Sequence, residues 1–163
     1  MAWGWGPPSN FNAQRDITAG LVDVPVDFDA GAGTIAVDAT DRMWVAYDTA
    51  GAIQVVTSEA VDHDQTWSAP ITLASGITLD DLDSVVAFDG KIGVAWSNQA
   101  TQRFGFRYHL DPDPPAVWSS NEVSGAASNL NNASSLKESF VDELVVIAAT
   151  GGSLTIKGVL FTP

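Results

Sequence analysis

The chain has 163 residues, enough for one ordinary domain, and 45% of them are apolar, which supports a packed core and excludes a disordered chain. Twenty acidic residues against seven basic ones leave a net charge of −13, a field that repels nucleic-acid phosphates and anionic membrane surfaces and keeps the surface soluble. No cysteine is present, so disulfides, thiolate metal sites and cysteine nucleophiles are excluded.

Residues 1–16 mix Gly, Pro, Asn and aromatics without periodicity and read as an irregular lead-in. They lack the basic start and apolar centre of a signal peptide, and no apolar run in the chain approaches the ~20 residues of a membrane helix. Trp3 and Trp5 are expected to pack, with stacking on sugars as the functional alternative. Leu21 to Phe28 alternates apolar and polar and predicts a half-buried strand, placed at an edge or a bulge because Pro25 has no N–H.

A first repeat, about residues 34–79, then predicts strands at Thr34–Asp38, Met43–Asp48, Ile53–Ser58 and Ser68–Leu73, with a turn at 39–42. The second, about 80–130, predicts Asp83–Phe88, Ile92–Ser97, Arg103–Tyr108 and Val117–Val123, with Asp89-Gly90 as a strong hairpin signal. A polar segment, Ser124–Ser135, links onward. The third, about 131–163, offers Lys137–Val141, Leu144–Thr150 and Ser153–Phe161, with Gly151-Gly152 as a turn. No segment reads as a substantial helix.

Two landmarks recur in the same order. Asp62 to Trp67 is echoed by Asp113 to Trp118, with the tryptophans 51 residues apart, and Trp44-Val45-Ala46-Tyr47 is echoed by Gly93-Val94-Ala95-Trp96 at an interval of 49. A period near fifty filled with strands predicts an all-β chain of tandem four-stranded antiparallel blades, about three of them, as in part of a β-propeller. Propellers usually carry four to eight blades, so the expectation is a piece of a longer propeller, or a half-ring completed by a second subunit as a homodimer. Strand 21–28 is a candidate to complete the last blade, and a lone arc would leave sheet faces and edges open.

The segment Ala60–Trp67 resembles the Asp-box of sialidase-like propellers with BNR repeats, Ser-x-Asp-x-Gly-x-Thr-Trp. Asp62, Thr66 and Trp67 match, whereas Ala60 replaces the Ser and Asp64 the Gly. The second copy keeps Asp113 and Trp118, with Val117 in place of Thr. The resemblance covers residues 34–161 as architecture, with one good motif copy and one poor one. It implies that the box lies between the third and fourth strands of a blade, away from any catalytic centre. Physically it is a fold device: Asp takes backbone N–H groups, Thr adds a tie, and Trp covers an apolar seam.

Sialidases, as the resemblance implies, hold a substrate carboxylate with three arginines and attack with a Tyr activated by a Glu. This chain has Arg15, Arg42, Arg103 and Arg107, lacks the family's Arg-Ile-Pro motif, and shows no Glu partner for Tyr47 or Tyr108, so no catalytic residue is assigned. The loop Asp80-Asp81-Leu82-Asp83 offers hard oxygens for Ca²⁺ but reads first as a solvated turn. Asp62-His63-Asp64 is explained by the box, and His63 and His109 are expected at the surface rather than as metal ligands. Trp44, Trp67, Trp96 and Trp118 are expected in the core. The function expected is a non-catalytic, extracytoplasmic or secreted recognition or scaffold module that binds a glycan. Two alternatives stand beside it: a fragment of a sialidase-type glycoside hydrolase, and a structural surface or virion repeat protein that assembles by edge pairing.

Overall fold

The computed structural model describes residues 24–26, 29–31, 33–59, 66–78, 81–120, 122–124, 128, 132–138, 143–150 and 153–160. Every regular element among them is a β-strand, and all pairing is antiparallel. The first sheet holds β1 (Gly33–Val37), β2 (Met43–Asp48), β3 (Ala52–Thr57) and β4 (Ile71–Ser75) in that order. The second holds β5 (Asp83–Phe88), β6 (Lys91–Asn98), β7 (Arg103–Leu110) and β8 (Glu122–Ser124). The third holds β9 (Asn132–Glu138), β10 (Glu143–Thr150) and β11 (Ser153–Leu160), with β10 central. Each sheet is a meander, because strands adjacent in sequence are neighbours in space.

The sheets meet along their first strands: β1 lies against β5, and β5 against β9. A hydrogen bond from Val85 N–H to the Thr34 hydroxyl (2.9 Å) ties the starts of β1 and β5 together. Ser97, near the end of β6, reaches Asn132 at the start of β9 through their side-chain oxygens, 3.4 Å apart. The starts of β1, β5 and β9 therefore share one end of the molecule, called the upper end below. The β1–β2, β5–β6 and β7–β8 turns share the lower end.

Alternation along the strands explains how one sheet serves two neighbours. Val85, Ile92, Val94 and Trp96 point to one side of the second sheet and pack on Trp44, Ala46, Ile53 and Val55 of the first. Phe88 and Ala95, with Phe106 and Tyr108 beside them, point to the other side and pack on Leu144 and Val146 of the third. That double coverage is why β6 reads as a nearly continuous apolar run. Each such side chain contributes about 1.5–3 kcal/mol when fully buried. Gly93 makes room for the aromatic side: a Cβ there would stand 2.7 Å from the Phe88 ring. At the Asp89-Gly90 hairpin both residues have positive φ, 43° and 66°, the backbone of a primed two-residue turn.

Several strand limits differ from those the sequence predicts. Val24–Val26, the described part of the expected strand at 21–28, is not strand: Val26 N–H closes back on Val24 O (2.8 Å) around Pro25. The rest of that span lies outside the described residues. β4 starts at Ile71 rather than Ser68, since Pro70 has no N–H to enter the ladder. β8 is only Glu122–Ser124, because residues 114–117 form a turn closed by Val117 N–H to Pro114 O (2.8 Å). β9 starts at Asn132, five residues before the expected Lys137. Its Asn and Ser residues have little strand propensity, but the long apolar β10 offers them a ladder, with a bulge at Ile147/Ala148 absorbing the mismatch.

Candidate functional site

The expected Asp-box turns fall between β3 and β4 and between β7 and β8. Asp62 lies outside the described residues, as do His63 and Asp64. Thr66 accepts from Glu59 N–H through its carbonyl (2.8 Å), and Trp67 forms an isolated bridge with Ser58. In the second turn Asp113 donates its N–H to Leu110 O (2.9 Å), and Trp118 donates its indole N–H to Pro115 O (2.9 Å). The two turns share a device that the sequence reading missed. Ser68 Oγ accepts from Thr57 N–H at 3.1 Å, and Ser119 Oγ accepts from Tyr108 N–H at 2.9 Å. The signal was available: a serine follows the tryptophan in both copies.

At the lower end these turns feed an aromatic cluster between the first two sheets. The Trp44 and His109 rings lie 4.7 Å apart, and Trp118 meets Trp44 edge-on at 5.7 Å. His109 is 1% exposed, so the expected surface histidine is a core residue. Alternation along β7 turns it toward the first sheet, where Nδ1 pairs with Val117 O at 2.8 Å. Asp38 takes the Trp44 indole N–H (2.8 Å), and Asp111 takes Ala39 N–H (3.1 Å) across the sheet boundary. Trp44, His109, Asp38 and Asp111 are all buried here, although His109 Nε2 and one Asp111 oxygen have no hydrogen-bond partner. This end holds the fold.

The upper end is different. Asp81 is a loop hub: one oxygen accepts from Thr78 N–H (2.7 Å) and hydroxyl, the other from Gln99 N–H (2.8 Å) and the Ser97 hydroxyl. Those bonds occupy both oxygens of Asp81, one of the acids in the 80–83 loop read for Ca²⁺, and Asp80 lies outside the described residues. Asp83 opens β5 and is 8% exposed, yet neither of its oxygens has a hydrogen-bond partner. Burial, and then the charge of Asp48, push its pKa up to about 7, against a smaller pull from the Thr34 side chain. Asp48 closes β2 and is itself buried, with its carboxylate where a Cβ on Gly31 would stand.

Beside this acid pair a groove of about 370 Å³ runs between β4 of the first sheet and the β6–β7 face of the second. Thr72 and Ser75 line one wall, and Trp96, Asn98 and Arg107 the other. Trp96 can lie flat because Gly105 has no side chain: a Cβ there would come within 2.2 Å of the indole. Among the described residues no acceptor or carboxylate closes on the Arg107 guanidinium, and its Nε is buried without a partner. The Nε of Arg42 is buried without a partner in the same way. The other described arginines stand elsewhere, Arg42 in the β1–β2 turn and Arg103 exposed at the start of β7, and Arg15 lies outside the described residues. The groove offers hydroxyls, an amide and a guanidinium over a buried Trp96, a set suited to hydrogen-bonding a polar ligand.

Comparison with protein-family models, with curated proteins and with solved structures returns no match to this chain.

Proposed function

We propose that this chain is a non-catalytic recognition module, built as an arc of sialidase-like propeller blades, that takes a glycan in the groove at Arg107. The observation that carries the reading is the half-buried, unpartnered Arg107 guanidinium facing Thr72, Ser75 and Asn98 across a polar groove. Saccharides are recognised by such fans of hydrogen-bond donors and acceptors. Three meanders meeting along their first strands, with tryptophan–serine turns at the lower end, support the propeller part of the reading. Glycan-array binding by the purified chain, lost by at least tenfold in Arg107→Ala with unchanged circular dichroism, is the expected result. A blank array at high protein concentration would sink the glycan reading.

A hydrolase of sialidase type is the second reading, and one observation favours it. Asp83, its pKa raised to about 7 by burial and by the charge of Asp48, is the kind of carboxyl that acid–base chemistry uses. Its burial, however, keeps it from a substrate in the groove, which ranks this reading second. Turnover of a fluorogenic sialoside that disappears in Asp83→Asn would reverse the order.

A further inference from the structure

Among the described residues no sheet packs on the outer face of the first sheet or of the third, and the repeat itself says what such a face fits. In the second sheet the cross-strand pairs Val85–Val94 and Ala87–Ile92 face the first sheet. The first sheet has the same ladder positions filled by Ile35–Val45 and Val37–Met43. Val85, Ile92 and Val94 are at most 8% exposed because a neighbouring sheet covers them, whereas Ile35 and Val37 are 59% and 51% exposed. The first sheet thus presents the apolar surface of an internal junction without its partner.

The third sheet has the opposite half of that junction. Leu144, Val146 and Ala148 face the second sheet, so alternation puts Val145, Ile147 and Ala149 on the outer face. Leu154 pairs directly with Ala149, shares that face, and is 70% exposed. Both ends of the arc therefore carry apolar residues, on β1 and β2 at one end and on β10 and Leu154 at the other. Lys137 and Ser135 of β9, by contrast, are the register partners of Val145 and Ile147. The two ends correspond to the two different faces that meet inside the arc.

We infer that a second copy of this chain docks head to tail, the outer face of its third sheet on the first sheet of its partner and the reverse. The inference rests on the repeat reading of the fold and is independent of any ligand. A second copy is the occupant that covers both open faces at once, since it carries the matching face for each. Two arcs of three sheets give six, within the range in which such rings close. Ring closure turns an otherwise open-ended heterologous contact into a finite dimer and removes two exposed apolar faces from water.

The test is solution mass by light scattering at about 100 μM, a concentration at which even a micromolar dimer is populated. Twice the chain mass of 17.1 kDa is expected. Ile35→Asp and Leu154→Asp, both at exposed positions that leave each copy's core intact, are each expected to halve the mass with unchanged circular dichroism. An equimolar mixture of the two variants is expected to recover dimer in part, because one of its two junctions carries neither substitution. A monomeric parent chain overturns the inference. So does a dimer that survives both substitutions, and one broken by Ile35→Asp alone overturns the head-to-tail arrangement.

Discussion

Asp38 and Asp83 are both carboxylates at the ends of innermost strands, 5% and 8% exposed, yet they ionise in opposite directions. Asp38 follows β1 at the lower end. Burial raises its pKa, but hydrogen bonds from the Trp44 indole, the Thr40 hydroxyl and the N–H groups of Arg42 and Thr40 outweigh it, and the net shift is downward. Asp83 opens β5 at the upper end, where burial and the Asp48 charge act with little opposition, and it reaches about 7. Asp111 lies between the two. Burial raises it, the Ala39 N–H opposes, and the Asp38 charge adds to the rise. Burial alone does not decide whether an acid is charged; the number of donors aimed at it does.

The contrast can be broken from either side. The largest effect is expected from Asp38→Ala, which leaves the buried Trp44 indole N–H without an acceptor and opens the 38–42 turn. Urea unfolding at pH 7 should show a loss of about 3 kcal/mol, and a loss below about 1 kcal/mol would mean that these bonds merely replace water. Asp83→Asn should do the reverse. Its folded pKa of about 7 exceeds the ordinary carboxyl value of 3.8, so the folded state keeps a proton that the unfolded chain gives up. The stability contributed by this group is fully present below pH 3.8 and is lost as pH rises through about 7. An amide cannot ionise and can donate to Asp48, so the variant should gain about 2 kcal/mol at pH 8 and nothing at pH 4. An unchanged pH slope between those values would show that Asp83 is not the group that titrates. The smallest effect is expected from Thr40→Ala, which removes one of several donors to Asp38, at about 1 kcal/mol. Its measurable companion is a folded-state Asp38 pKa that moves up, read by carboxyl NMR titration.

Parts of this contrast were legible in the chain. Asp38 with Thr40 two residues on is an Asx-type turn signal, and 39–42 reads as a turn, so a local hub at the lower end follows from local chemistry. The Asp89-Gly90 hairpin is legible for the same reason, since its positive φ values need those residue types. Asp83 was not. In sequence it is one acid of a polar loop. Its burial comes from β1 and β2 arriving beside it, and its register mate in the first sheet is Gly33, with no side chain at all. His109 was misplaced because a lone histidine near a turn gives no sign of which face of β7 it occupies. Arg107 was visible only as one of four arginines. Its lack of a partner depends on what β4 and β6 bring to the groove.

The sequence by itself determined the period near fifty, the all-β character and the Asp89-Gly90 hairpin, because these rest on alternation, turn propensity and short-range hydrogen bonds. Only the tertiary structure decided which acids are charged, which guanidinium lines the groove and which apolar residues stay exposed. Those properties depend on groups far apart in the chain meeting in a low-dielectric interior or failing to meet. Thr34 and Val85 are brought within 2.9 Å across an interval of 51 residues, and no local pattern encodes that encounter.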